Sequence, residues 1–155
     1  MISKPSILGL LSQNEAKIAA LYTLFSETFP AQERFWKKLA AEEEQHAAAL
    51  DKLDQRYRDD SLCLECSPYS RKIIDYVSDF IDSCLKEARS EKIDEAGALA
   101  MSLRLEQSMV EKKCFEIIIP NQVEIEIVLE RLNRETREHA HSLRRLSQLG
   151  GLDLD

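Results

Sequence analysis

Two of the chain's three histidines stand in stretches that nearly repeat each other: Leu39-Ala-Ala-Glu-Glu-Glu-Gln-His-Ala-Ala-Ala-Leu50 and Leu132-Asn-Arg-Glu-Thr-Arg-Glu-His-Ala-His-Ser-Leu143. A constant offset of 93 matches Glu42 with Glu135, His46 with His139, Ala47 with Ala140, Leu50 with Leu143 and Leu53 with Leu146, giving six identities in fifteen positions. In the first stretch Glu43 precedes His46 by three residues, about 60° apart around a helix, so both side chains can reach one cation. Oxygen-rich ligation with some imidazole suits iron or manganese better than a thiolate-preferring metal.

Helices must position these residues. Apolar side chains recur at three-four spacing through five segments: about 6–27, about 30–58, about 69–87, about 94–118 and about 121–148. Pro30 falls in the first turn of the second helix, Pro120 ends the fourth or kinks its junction with the fifth, and Gly150-Gly151 stops the fifth. The segment 69–87, with Ile73, Ile74, Tyr76, Val77, Phe80, Ile81 and Leu85, is roughly 28 Å long as a helix, enough to cross the length of a bundle. Short links pair the first two helices and the last two. Two hairpins joined by a long crossover make an all-α four-helix bundle, one domain over residues 1–155.

Polar residues interrupt each apolar seam near its middle. The lines are 8, 11, 15, 18, 22, 25; then 36, 39, 43, 46, 50, 53, 57; then 99, 103, 106, 110, 114, 117; and 125, 128, 132, 136, 139, 143, 146. They carry Glu15, Glu43 with His46, Glu106, and Thr136 with His139 into the core. Converging buried carboxylates cost several kcal/mol each unless paired, and Lys and Arg are scarce on these faces. A metal cation is the natural partner.

On these residues the chain resembles the ferritin-like superfamily, nearest to the rubrerythrin-type diiron bundle. The resemblance rests on Glu15 followed by Tyr22 and Phe25, on Glu43-Glu-Gln-His46, on Leu105-Glu106 followed by Glu111, and on Arg137-Glu-His139. It implies an antiparallel ferritin-like bundle with a helical crossover between its second and third long helices, and a centre of two irons. Glu15 and Glu106 would be terminal ligands, Glu43 a bridge, and His46 and His139 the imidazole ligands. Tyr22 would hydrogen-bond a ligand glutamate. Peroxide reduction, oxygen activation and ferrous iron oxidation are the implied activities, with an external electron donor and a homodimer.

The sequence departs from that pattern at Thr136, where a second bridging glutamate is expected, and at Met109, where rubrerythrins carry a further glutamate. No rubredoxin module follows the bundle, so internal electron delivery is not expected. Four glutamates balance two ferrous ions, whereas Glu15, Glu43 and Glu106 leave one positive charge over. Glu135, about 40° from His139, would substitute if a local π-bulge turned it inward. His141 falls on the opposite face from His139, and Glu42, Glu44 and Glu138 read as acids on solvated faces. The alternative is a degenerate bundle of the same fold that holds one metal, iron or manganese, or none, and acts by binding.

A net charge of −7 with dispersed acids argues against nucleic acid and anionic membrane surfaces as partners. The absence of a long apolar run or secretory leader makes the cytoplasm the expected location. Cys63-Leu-Glu-Cys66 is half a thiolate metal site or a reversible disulfide pair, but two ordinary loop thiols are the simpler reading; Cys84 and Cys114 are expected to pack.

Overall fold

A computed structural model describes residues 6–57, 64–65, 68–90, 92–111, 114, 119–120 and 122–149. Among these, five α-helices account for nearly everything: α1 (Ile7–Thr28), α2 (Glu33–Tyr57), α3 (Pro68–Ser90), α4 (Glu95–Glu111) and α5 (Val123–Leu149). The described residues are all-helical, apart from a two-residue antiparallel pairing of β1 (Leu64–Glu65) with β2 (Ile119–Pro120). No helix among the described residues is long and apolar enough to cross a membrane.

Local chemistry sets the helix ends. Ser6 caps α1 by accepting the Gly9 amide at 2.9 Å, and its hydroxyl donates in turn to Asp54 near the end of α2. A side chain on Gly9 would press on the Ser6 hydroxyl at 3.0 Å, so the glycine lets the cap and Asp54 meet. Asp94 caps α4 by accepting the Gly97 amide at 2.7 Å. Phe29 closes α1, and Pro30 opens a single 3-10 turn (Pro30–Gln32) that feeds α2.

That tight turn folds α1 and α2 onto each other. Ser6 meets Asp54 at one end, the Ser12 hydroxyl donates to the Ala47 carbonyl at 2.8 Å, and Phe25 packs on Trp36 with ring centroids 5.0 Å apart at the other end. Between α2 and α5, Arg56 and Tyr57 reach Glu124, while His46 reaches Glu135. Helix α3 lies against α1 through Ser78 to Asn14 (2.6 Å) and Lys17 to Asp82 (2.9 Å), and it also touches α4. Burial of Ile74, Val77, Ile81 and Cys84 attaches it to the common core.

The α1 seam is buried at every position from Leu8 to Phe25, and the α2 seam from Trp36 to Leu53. Tyr22, Phe25 and Trp36 form an aromatic cluster with no more than 2% of any member exposed. Complete burial of large apolar side chains such as Leu11, Ile18 and Leu50 stabilises the fold by roughly 1.5–3 kcal/mol each, which is what the buried acids of the same seams must be set against. On α5 the buried line runs through Ile125, Leu129, Leu132, Thr136, His139, Leu143 and Ser147, with Val128 and Leu146 only partly covered.

Helix α4 corrects the expected boundary of about 118. It ends at Glu111, where the Cys114 amide bonds the Met109 carbonyl at 3.1 Å, and Ile119 is already in extended pairing. Ile119 closes a run of three isoleucines, whose β-branched side chains favour extended backbone over helix. Cys114 is buried all the same, as is Cys84. Cys63, Cys66, Ile117 and the Gly150-Gly151 stop lie outside the described residues.

Candidate metal centre

Four helices deliver ionisable side chains to the middle of this apolar interior. Glu15 comes from α1, Glu43 and His46 from α2, Glu106 from α4 and His139 from α5, and none is more than 2% exposed. They form two groups whose ligand atoms lie within 4.8 Å of one another: Glu15, Glu43 and His46, and Glu43, Glu106 and His139. Glu43 belongs to both. The two imidazole rings face each other at 5.6 Å between centroids, tilted by 20°.

Four polar atoms of the cluster are buried without a hydrogen-bond partner: Glu15 Oε1, Glu43 Oε2, His46 Nδ1 and Glu106 Oε2. Leaving a polar atom in that condition ordinarily costs about 1–3 kcal/mol, more when it is charged. His46 Nδ1 and Glu43 Oε2 stand 3.4 Å apart in an orientation that makes no hydrogen bond. Oxygen and imidazole nitrogen donors at this density fit iron or manganese.

Outside the cluster, each histidine is held by a glutamate of the opposite hairpin. His46 Nε2 donates to Glu135 of α5 at 2.6 Å, and His139 Nε2 donates to Glu42 of α2 at 2.6 Å. Such contacts fix the ring and leave Nδ1 facing inward. Tyr22 donates to Glu106 Oε1 at 2.6 Å. The Thr136 hydroxyl donates to the Leu132 carbonyl of its own helix at 2.8 Å, so it is spent on backbone.

The electrostatics are those of a crowded acidic core. Burial, followed by the charge of Glu43, holds the Glu15 carboxyl well above its usual range and pushes Glu106 up to about 7. Burial also acts on Glu43, but the adjoining Glu15 carboxyl and the two histidines outweigh it and hold this carboxyl far below the usual range. Burial disfavours a charged His139, yet the adjoining Glu106 and Glu43 carboxylates push it up to about 11; His46 is raised by Glu43 in the same way. Tyr22 is pushed well up by burial and by Glu106.

The structure thus brings Glu15, Glu43, His46, Glu106 and His139 together and puts Tyr22 in contact with them. Glu135 is not turned inward, because α5 stays helical throughout; its side chain is 34% exposed and grips His46 from outside. Glu42 is the residue sequence reasoning misassigned. Its side chain is only one-third exposed and bonds His139, and the offset that pairs Glu42 with Glu135, each four residues before a histidine, was the available signal. Glu44, Glu138 and His141 are exposed, the last two lining a surface groove along α5 with Arg134 and Arg137. Comparison with protein-family models, curated proteins and solved structures gives no match to this chain.

Proposed function

We propose that the protein is a ferritin-like, rubrerythrin-type dimetal carboxylate protein, with two irons per chain, acting as an oxidoreductase on peroxide, dioxygen or ferrous iron. The observation that carries this reading is the pair of buried three-ligand groups sharing Glu43, in which four donor atoms lack any other partner. The interhelical contacts support the corresponding antiparallel bundle. Positions that rise along α1 meet positions that fall along α2, α2 and α5 do likewise, and α3 is the crossover between the hairpins.

On this reading Glu15 and His46 would hold one ion and Glu106 and His139 the other, with Glu43 common to both groups. Bound iron would supply the two electrons that reduce peroxide to water, to be replenished by a separate donor. The chain's own residues set the conditions. Glu42 and Glu135 hold the Nε2 edge of the two rings, so that Nδ1 of each faces the carboxylates of the cluster. Tyr22 donates its hydroxyl proton to a hydrogen bond with Glu106 Oε1, and both side chains lie in the buried interior beside the centre. The protein is proposed to work in the cytoplasm as a homodimer.

Anaerobic iron loading followed by metal analysis, with optical spectra on adding peroxide, tests the proposal. About two irons per chain and an oxo-bridged ferric absorption are expected; no specific uptake refutes it. A bundle holding one metal or none is the second reading, and the commitment of the Thr136 hydroxyl to Leu132 favours it. One iron per chain without a peroxide response would establish that alternative.

A further inference from the structure

The two ligand groups are equal in composition, each with two carboxylates and one imidazole, but unequal in readiness. In the first group, Glu15 Oε1, Glu43 Oε2 and His46 Nδ1 are all buried and unpartnered. The His46 ring is held from behind through Nε2 and Glu135, so Nδ1 faces the carboxylate oxygens with no hydrogen bond of its own. A cation entering there breaks no hydrogen bond.

In the second group the corresponding atoms are occupied. His139 Nδ1 lies 2.8 Å from Glu43 Oε1 and 3.5 Å from Glu106 Oε1, while Tyr22 donates to that same Glu106 oxygen at 2.6 Å. Beyond the shared Glu43 Oε2, Glu106 Oε2 alone is unpartnered in this group. A cation here must displace the contact between His139 and Glu43 before the imidazole can turn a lone pair to it. Thr136 adds no carboxylate to offset that cost, since its hydroxyl is turned to Leu132.

We infer that the centre fills in a fixed order, with the first cation held by Glu15, Glu43 and His46 and the second, weaker, by Glu43, Glu106 and His139. This rests on the metal-centre reading above. A charge-assisted hydrogen bond lost on loading corresponds to a second step weaker by about tenfold or more.

Zinc(II), which accepts carboxylate and imidazole and is diamagnetic, is the probe. In the unmodified metal-free protein with nitrogen-15-labelled histidine, the first equivalent is expected to move the ring nitrogens of His46 and the second those of His139. His141 should stay unchanged throughout. Calorimetry of Glu106→Gln should keep the first step, and Glu15→Gln should lose it. Joint movement of both rings within the first equivalent, or His139 moving first, overturns the order while leaving the dimetal reading intact. No movement of either ring refutes both. If either variant fails to fold, the titration of the unmodified chain still decides.

Discussion

The α1–α2 and α4–α5 hairpins make the same kind of contribution to the core and differ in how completely they make it. The first has a one-turn link, long contact between its helices, and a Glu43–His46 pair beside Glu15. The second has a 17-residue α4, a longer link, and Thr136 where Glu43 has its counterpart. What the second half kept is instructive. His139 and Glu135 stand at their repeat positions, so the mutual hold between hairpins is present even though the counterpart of Glu43 is a threonine.

The largest expected effect comes from the residue that both groups share. On the proposed dimetal reading, Glu43→Ala should take metal content from two ions per chain to none, measured after anaerobic loading; retention of either ion would show that the groups do not depend on a common residue. Next are the crossed contacts. Glu135→Ala should weaken the ion on His46 and Glu42→Ala the ion on His139, each by about 10–100-fold in affinity, as loss of a histidine's outer carboxylate typically does. If either variant weakens the ion of its own hairpin instead, the comparison between hairpins fails.

A smaller gain follows from repairing the asymmetry. Thr136→Glu should strengthen the second ion, by about tenfold on the charge-pairing argument, and bring the two binding steps closer together. Unchanged binding would mean that position 136 faces away from the second ion.

The smallest effect is on the stability of the metal-free protein. Glu106, raised from an ordinary 4.5 to about 7, and Glu15, raised in the same direction, add stability that is complete below about 4.5 and lost as pH climbs. His139, raised from 6.5 to about 11, adds stability that is complete below 6.5 and lost toward alkaline pH. Glu43, held low, acts oppositely, but its contribution is already complete above about 4.5. Thermal melts in chelator should therefore show a melting temperature that falls as pH rises from about 5 to about 8. A flat or rising profile would contradict the raised carboxyls.

Much of this was legible in the chain. Heptad extension of the α1 seam places Glu15 between Leu11 and Ile18, and the same rule finds Glu43, His46, Glu106 and His139, because a buried face repeats regardless of what interrupts it. Two things were not. The end of α4 escaped because apolar spacing continues through Cys114 and Ile117 whether or not the backbone stays helical. Glu42 escaped because periodicity assigns a direction to Cα–Cβ, whereas a three-carbon acid can leave its own face and close over a neighbour's ring.

The crossed hold of Glu42 on His139 and Glu135 on His46 has a consequence for motion. Each histidine's outer carboxylate comes from the other hairpin, so the arrangement of the two rings depends on α2 and α5 staying closed on each other. Parting of these helices would unlatch both rings at once. Amide exchange along the middles of α2 and α5 therefore reports on the integrity of the centre from a distance, and slows together in both helices whenever the latch is fastened.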